Sequence, residues 1–316
     1  MAEFRNGSRK SGAARLRELI NAPEILIMPG VFDGFSNRIV EASGYSAAFI
    51  TGAGISESRL GEPDVGIMGL EENLACVRAL VSTTSLPLIA DGDTGYGNAI
   101  NVYFTVQAFE RTGVAGVMLE DQIWPKRCGH MAGKELISAE EMVQKIRAAV
   151  DARKDPNFII KARTDAAGPY GIDEAIRRAN LYADAGADLL FADAVLSRDD
   201  IAKFTSSVKK PVSVNMGFGI RTRSTTPLLS PKQLQDLGVA AMIWPRLLTA
   251  AAIMGMKRAL EACKESIETG LPVDRPELLV GFEELNSLMG FDDIKKMEER
   301  YLTESQLSAK YGRTPV

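Results

Sequence analysis

The chain alternates short apolar runs with longer amphipathic stretches. The apolar runs predict eight strands, at Ile25–Met28, Ala47–Ile50, Leu88–Ala90, Gly116–Leu119, Phe158–Ala162, Leu189–Ala192, Val212–Val214 and Ala241–Trp244. They lack the strict apolar/polar alternation of a β-sandwich and are typical of strands buried on both faces of a parallel sheet. The pattern therefore predicts an α/β protein in which strands and helices alternate.

Helix start and stop signals support the prediction of helices between these strands. Ser138 precedes one predicted helix and Glu141 follows three residues later, which is the pattern of a capping box. Ser230 and Pro231 open another helix. In three units a glycine stands between a predicted helix and the next strand, as expected for helix C′ positions. These are Gly113, Gly186 and Gly238.

Eight strands alternating with helices over about 250 residues match the size and order of a (β/α)₈ TIM barrel. An open, doubly wound sheet is the alternative. Six strands are followed by a polar residue, namely Thr51, Asp91, Glu120, Arg163, Asp193 and Asn215. In a closed barrel these residues converge on one mouth, where such barrels carry out chemistry, whereas an open sheet spreads them along an edge. We therefore expect a barrel.

The residues after the eighth strand predict a helical extension with no strand partner. A long helix covers about 247–269, and further helical segments run to about 301. Since no low-complexity linker divides the chain, we expect residues 1–316 to form a single barrel domain. We expect the helices of about 247–301 to pack on a neighbouring subunit.

Composition restricts the class of partner. The 316 residues are 25% charged, and 37 Lys and Arg against 41 Asp and Glu give a net charge of −4. This balance excludes a basic surface for nucleic acid or an anionic membrane, and no apolar run reaches the ~18 residues of a membrane span. The polar start of the chain predicts a cytoplasmic protein, with a mitochondrial address as the weaker alternative. We expect a small-molecule partner.

Histidine and cysteine are scarce. One histidine and three cysteines exclude a zinc site built from several of them, and also a disulfide framework. Carboxylates remain as metal ligands: Asp91 and Asp93 lie in the glycine-rich segment DGDTGYG, and Glu120 ends the fourth strand. Such oxygen donors suit Mg²⁺ or Mn²⁺. Acidic residues and glycines are also ordinary in βα loops, so that alternative stays open.

The segment KRCGH places Cys128 among cationic side chains. Lys126, Arg127 and the imidazole of His130 would stabilise its thiolate, so that Cys128 could exchange protons with a substrate. A buried, inert thiol is the alternative and is our interpretation of the other two cysteines.

Two further strand ends are candidates for binding carboxylates. Arg163 is suited to bidentate capture of a substrate carboxylate, or to an ion pair with Asp165 or Asp193. The segment TGAG at Thr51 could present backbone N–H groups to a second carboxylate, or form a plain tight turn. The residues alone leave both alternatives open.

Together these motifs resemble the isocitrate lyase/phosphoenolpyruvate mutase superfamily. The matching segments are TGAG, LGEPDVG, DGDTGYG, LEDQ, KRCGH, ARTDA and VGFEELNSLMGF, in that order along nearly the whole chain. Within the superfamily the chain is most similar to the short branch that holds 2-methylisocitrate lyase, 2,3-dimethylmalate lyase, oxaloacetate acetylhydrolase and the petal death protein. The KRCGH segment distinguishes it from the phosphonate-forming mutases.

The resemblance implies a barrel whose last helix is exchanged between subunits of a homotetramer. It implies a Mg²⁺ or Mn²⁺ site at Asp64, Asp91, Asp93 and Glu120. It also implies a catalytic Cys128 on a loop that closes over the substrate, with Lys126, His130, Arg163 and Asp193 as further catalytic residues. The substrate-binding groups fall on Thr51, Gly52, Ala53, Gly129, His130, Arg163, Asn215 and Pro245.

The implied activity is metal-dependent cleavage of the C2–C3 bond of a substituted malate, of the 2,3-dimethylmalate or 2-methylisocitrate type, to a 2-oxoacid and a carboxylic acid. The substrate is then a small di- or tricarboxylate. Pro245 stands where oxaloacetate acetylhydrolases carry serine, which favours the lyase over the alternative, an oxaloacetate acetylhydrolase or decarboxylase.

Two departures from the superfamily pattern support a third hypothesis. Asp193 replaces the more usual glutamate, and the 216–226 segment gains Arg221 and Arg223 but has no acid. Phe49 also stands where some lyases have tyrosine. Under this hypothesis the chain is an altered barrel that acts on a different anion or only binds one.

Overall fold

The computed structural model describes residues 10–129, 131, 133–217 and 226–312. Eight strands lie in this part of the chain: β1 Leu26–Val31, β2 Ala48–Ile50, β3 Leu88–Asp91, β4 Gly116–Glu120, β5 Ile159–Thr164, β6 Leu189–Ala192, β7 Ser213–Asn215 and β8 Ala241–Trp244. All eight coincide with predicted strands. Neighbouring strands pair in parallel, in the order β6-β5-β4-β3-β2-β1-β8-β7.

The sheet closes on itself between its two outer strands. A parallel bridge joins Leu190 of β6 to Val212, and the Leu190 N–H donates to the Pro211 carbonyl at 2.9 Å. An open sheet would leave β6 and β7 unpaired on one side. The structure therefore confirms the (β/α)₈ barrel.

Helices separate the strands and continue after the last one. The described α-helices are α1 Gly12–Ile20, α2 Gly34–Ala42, α3 Gly52–Ile55, α4 Leu70–Thr83, α5 Ala99–Arg111, α6 Ala139–Ala152, α7 Ala167–Tyr170, α8 Ile172–Asp184, α9 Arg198–Ser207, α10 Pro231–Asp236, α11 Leu247–Thr269, α12 Phe282–Leu288, α13 Phe291–Tyr301 and α14 Glu304–Tyr311. A π-helical turn, Ser56–Leu60, follows α3. None of the described helices has the length and apolar character that a membrane span requires.

The predicted helix starts and C′ glycines agree with the structure. The Ser138 hydroxyl accepts from the Glu141 N–H at 3.0 Å and begins α6, but the reciprocal bond from the Ser138 N–H to the Glu141 side chain is not among the described contacts, so only half of the predicted capping box forms. Ser230 and Gln233 form a reciprocal capping box with Pro231 in the first turn of α10. The three predicted C′ glycines, Gly113, Gly186 and Gly238, all have positive φ, which ends each helix without a steric penalty.

The chain forms two compact units that meet in sequence within α11, at Ile253 and Met254. The second unit contains α12, α13 and α14, and Glu298 of α13 accepts hydrogen bonds from Lys310 and Tyr311 of α14. The assignment of residues 1–316 to one domain stays a prediction. So do the packing of about 247–301 on a neighbouring subunit and the helix-exchanged homotetramer.

Two apolar clusters form the core of the barrel unit. One lies between the strands and the surrounding helices, and the other fills the barrel interior with side chains such as Met28, Phe49 and Phe191. Leu16 and Ile20 of α1 belong to the interior cluster. Helix α1 therefore closes the amino-terminal end of the barrel, which leaves the carboxyl end as the mouth.

The barrel interior also contains a charged side chain. Lys161 of β5 is fully buried, and its Nζ lies 4.9 Å from the ring centroid of Phe49 and 4.6 Å from that of Phe191. Within the described part of the chain this Nζ has no hydrogen-bond partner. Burial lowers the pKa of Lys161 to about 7, because the ammonium loses its hydration there.

We expect Lys161→Met to stabilise the protein at low pH. Between about pH 7 and 10.5 the unfolded chain binds a proton at Lys161 that the folded protein does not hold. Below about pH 7 the buried ammonium of Lys161 therefore lowers the free energy of unfolding by its full amount, and above about pH 10.5 it has no effect. Methionine keeps the size of the side chain without the charge. Urea unfolding should show a gain of roughly 2–5 kcal/mol near pH 6 that falls to about 1 kcal/mol near pH 9.5.

The exposed Lys154 provides the control. Lys154→Met should leave the free energy of unfolding unchanged at both pH values. A Lys161→Met variant that is destabilised equally at both would contradict the expectation.

Candidate active site

The strand-end side chains converge on one pocket at the carboxyl end of the barrel. Its walls are formed by Phe49, Thr51, Ala53, Asp64, Asp91, Met118, Cys128, Gly129, Arg163, Asp193, Asn215, Pro245 and Arg246. Five of the six predicted strand-end residues are among them, and the sixth, Glu120, pairs with Arg163. The structure therefore brings together the residues that the barrel hypothesis places at one mouth.

The turn after β3 is fixed by side-chain hydrogen bonds. Asn73 Nδ2 donates to the Asp91 carbonyl and to the Tyr96 hydroxyl, both at 2.8 Å. The Tyr96 hydroxyl in turn donates to Asp93 Oδ2 at 3.1 Å. Asp93 and Tyr96 both have positive φ, so the backbone is tightly curved here. These contacts hold the two carboxylates of the DGDTGYG segment in place.

Lys126 connects two of the predicted metal-site carboxylates. Its nearly buried Nζ contacts Asp64 Oδ1 and lies 2.9 Å from Asp93 Oδ1. Burial by itself would lower the pKa of Lys126, but Asp93, Glu120 and Asp64 outweigh it and raise that pKa well above its usual range. Lys126 is therefore an ammonium that ties the segment around Asp64 to the end of β3.

Asp91 is left without a cationic partner among the described residues, since Lys126 pairs with its neighbours. Burial, and next the nearby Asp93, raise the pKa of Asp91 to about 6. A Cβ on Gly52 would lie 2.9 Å from Asp91 Oδ2, so glycine keeps the space beside this oxygen open. Glu120 Oε1 is also buried and has no hydrogen-bond partner in the described residues.

These features fit a hard divalent cation. The donors are oxygens, and Asp91 forms no ion pair with a cation in the described residues, although the nearby charges of Lys126 and Arg163 partly offset the effect of burial on its pKa. No group of three His, Cys, Asp or Glu side chains in the described ranges is placed to bind an ion together. Lys126 engages Asp64 and Asp93, and Arg163 engages Glu120. Asp91 is therefore the residue that would hold an ion, with water completing the coordination as Mg²⁺ prefers.

Arg163 forms a buried charge cluster with three carboxylates. Its Nε and Nη2 donate to Asp165 at 2.8 and 2.9 Å, and Nη2 also donates to Asp193 at 3.2 Å. Its Nη1 lies 3.2 Å from Glu120 Oε2. Burial opposes the charge, but the three carboxylates raise the pKa of Arg163 well above its usual range. Of the two alternatives for Arg163, the ion pair is the one that the structure contains.

Asp121 supports this cluster from the helix-facing side of the sheet. Its carboxylate accepts from the Thr164 and Tyr182 hydroxyls, both at 2.7 Å, and from the Asp165 backbone N–H at 2.9 Å. Consecutive strand residues point to opposite faces, so Glu120 lies at the mouth and Asp121 lies between β4 and α8. Asp121 thereby fixes Asp165, which holds Arg163.

The segment that carries Cys128 packs directly on the Arg163 cluster. A Cβ on Gly129 would lie 1.5 Å from Asp193 Oδ2, so no other residue fits without displacing that carboxylate. Lys134 Nζ donates to the Gly129 carbonyl at 2.8 Å and to Asp165 Oδ1 at 2.9 Å. Cys128 is partly buried in the pocket wall. The predicted His130 lies outside the described residues, as do Arg221 and Arg223.

The TGAG segment contains the tight turn that was one of its two alternatives. Thr51 caps the single-turn helix α3, and its hydroxyl accepts from the Gly54 N–H at 3.3 Å. Thr51 and Ala53 line the pocket. The predicted Asn215 and Pro245 do so as well, at the ends of β7 and β8.

Sequence reasoning missed Arg246. It follows Pro245 at the carboxyl end of β8, and its Nη1 lies 2.6 Å from Glu57 Oε1 in the π-helical turn. Its Nη2 lies 3.7 Å from Cys128 Sγ. The signal was present, because Arg246 is a polar residue after a predicted strand. The strand-end pattern identified six such positions and passed over the eighth strand.

Comparisons with known proteins agree with this architecture. Residues 16–264 match the family model of phosphoenolpyruvate phosphomutase. The chain is 40% identical to the 2,3-dimethylmalate lyase of Eubacterium barkeri, over 92% of this chain and 98% of that protein. It is 38% identical to the probable 2-methylisocitrate lyase 2 of Corynebacterium glutamicum, over 93% and 94% of the two chains.

A solved structure extends the similarity to three dimensions. Oxaloacetate acetylhydrolase in complex with the inhibitor 3,3-difluorooxalacetate superposes with a TM-score of 0.83 at 33% identity, covering 92% of this chain and 96% of that one. With the family model matching most of its length, the chain belongs to the phosphoenolpyruvate phosphomutase family, within the phosphoenolpyruvate mutase/isocitrate lyase superfamily.

Proposed function

We propose that this protein is a Mg²⁺- or Mn²⁺-dependent carbon–carbon lyase that cleaves a substituted malate to a 2-oxoacid and a carboxylic acid. The observation that carries the proposal is that one pocket combines Asp91, a carboxylate with no ion-pair contact in the described residues, with a cysteine thiol, Cys128. The activities named for the two relatives, a 2,3-dimethylmalate lyase and a probable 2-methylisocitrate lyase, support the same reaction class.

The substrate's 2-hydroxy acid end belongs at Asp91. A divalent cation held there would supply a Lewis acid for the C1 carboxylate and the C2 oxygen. Thr51 and Asn215 line the same pocket and offer polar groups to these atoms. Arg163 donates three hydrogen bonds from Nε and Nη2, whereas its Nη1 only lies 3.2 Å from Glu120 Oε2, so Nη1 retains N–H groups for the substrate.

Cys128 then acts at the other end of the bond. The C2 hydroxyl loses its proton to water and becomes the ketone oxygen of the 2-oxoacid. The electron pair of the broken C2–C3 bond stays on C3, and the departing acid leaves as an enediolate. Cys128 donates its thiol proton to C3, which completes the carboxylic acid product, and water returns a proton to the thiolate. Gly129 lies against Asp193 and Arg163, and this packing positions the thiol and excludes water from the carbanion.

The pocket wall favours the lyase over oxaloacetate hydrolysis. Pro245 lines the pocket and has no hydroxyl with which to bind or orient a hydrolytic water. Hydrolysis remains the second candidate because the solved oxaloacetate acetylhydrolase is similar over nearly the whole chain. The two reactions differ in substrate, so direct assays separate them.

We expect the purified protein with Mg²⁺ or Mn²⁺ to release a 2-oxoacid from 2,3-dimethylmalate or 2-methylisocitrate, as measured by a phenylhydrazone assay. EDTA should abolish this release and added metal should restore it, because Asp91 alone does not supply a Lewis acid. Faster turnover of oxaloacetate than of every malate would select the hydrolase or decarboxylase. Metal binding, seen by calorimetry, without turnover of any of these acids would indicate a binding protein.

Cys128→Ser should lower kcat by roughly 10²–10⁴, with a much smaller change in KM. A serine hydroxyl is a far poorer acid than a thiol, but it preserves the shape of the pocket. Cys263→Ser is the matched control and should retain full activity. The predicted burial of Cys76 is confirmed but that of Cys263 is wrong, since Cys263 is exposed on α11, outside the barrel core. Equal activity of Cys128→Ser and the wild-type protein would refute the proposed proton donor.

A further inference from the structure

Arg246 places a second guanidinium at the mouth, on the side opposite β4 and β5. It lines the pocket together with Cys128, and its side chain is one-quarter exposed. The ion pair with Glu57 at 2.6 Å holds its Nη1, while Nη2 faces Cys128 Sγ at 3.7 Å. Glu57 therefore directs this guanidinium towards the thiol.

The two arginines of the mouth differ in how many donors they have already used. Arg163 donates three hydrogen bonds and lies beside three buried carboxylates, so its positive charge is already more than balanced. Arg246 makes two contacts, to one carboxylate and one sulfur, within the described part of the chain. A guanidinium has five N–H donors in a planar fork that matches a carboxylate. Arg246 is the arginine that retains a free edge for an anion.

The position beside Cys128 determines which anion Arg246 meets. In the proposed lyase reaction the thiol protonates C3, so groups bonded to C3 lie next to Cys128 and hence next to Arg246. A malate carries its second carboxylate on C3. When the C2–C3 bond breaks, this carboxylate becomes part of the enediolate and gains negative charge. A cation at this point stabilises the transition state more than the bound substrate.

We propose that Arg246 is a catalytic residue that binds the carboxylate on C3 of the substrate and stabilises the enediolate as it forms, with Glu57 as its positioning residue. The assignment of C3 rests on the proposed lyase function. The carboxylate-binding part does not, since it follows from the free edge of Arg246 in the pocket. The proposal as a whole predicts that the end of the pocket near β8 binds the carboxylic acid product, whereas the end near β3 binds the 2-oxoacid product.

Two inhibitors distinguish the two ends of the pocket. Oxalate resembles the 2-oxoacid half, and succinate resembles the carboxylic acid half. With metal present, Arg246→Gln should weaken succinate binding by tenfold or more and change oxalate binding by less than twofold, as measured by calorimetry. It should lower kcat by roughly 10²-fold. Arg246→Ala should regain part of its turnover on addition of guanidinium but not of sodium at the same ionic strength.

Two control variants complete the test. Glu57→Gln removes the ion pair that positions Arg246 but leaves Arg246 itself in place, and it should lower kcat three- to tenfold. Arg111→Gln, at the exposed carboxyl end of α5, should match the wild-type protein in every measurement. Equal losses of oxalate and succinate affinity in Arg246→Gln, or no loss of either, would overturn the proposal. If the wild-type protein cleaves no malate, the lyase function fails, but the succinate and oxalate comparison still decides whether Arg246 binds a carboxylate.

Discussion

The Arg163 guanidinium holds together the carboxyl ends of three consecutive strands. Glu120 ends β4, Asp165 follows β5 and Asp193 follows β6, and all three carboxylates contact this one side chain. Buried charges persist only when they are paired, and removal of one partner from such a cluster typically costs ~3–5 kcal/mol. Gly129 packs on the same cluster, so the segment that carries Cys128 takes its position from it. The mouth is therefore built around Arg163, and the position of the Cys128 thiol depends on it indirectly.

Much of this architecture can be predicted from the sequence, for identifiable reasons. The eight strands are short and apolar because helices cover one face of each and the barrel interior covers the other, and that pattern is local. The polar residue after each strand marks the mouth because parallel strands in a closed barrel all end on the same side. Asp91 and Glu120 were identified in this way. Cys128 was identified from its cationic neighbours in KRCGH, and the superfamily resemblance added Asp64 to the predicted metal site.

The parts that the sequence did not predict depend on pairing across the barrel. Arg163 and Arg246 both lie at the carboxyl ends of strands. The sequence suggested Asp165 or Asp193 as a partner of Arg163, but nothing local shows that Arg163 contacts three carboxylates and Arg246 only one. The ion pairs of Lys126 with Asp64 and Asp93 join segments far apart in the chain. Lys161 lies in an apolar run, and its inward direction follows only from the register of β5 within the closed sheet. Such contacts are properties of the closed sheet as a whole.

Negative and positive side chains lie on opposite sides of the barrel mouth. Carboxylates dominate the side formed by β3 and β4, where Asp91 lacks a cationic partner among the described residues, and Arg246 supplies positive charge on the side of β8. A dianionic substrate is repelled by the first side unless a divalent cation neutralises it, and it is attracted by the second. Cys128 contacts Arg246, so it lies towards the cationic side. The proposed malate substrate can therefore enter productively in one orientation, with its hydroxy acid end at the carboxylates and its C3 end at the thiol. The chain's scarcity of histidine fits this proposal, because a hard cation on oxygen ligands and a thiol acid would together perform the work that imidazoles do elsewhere.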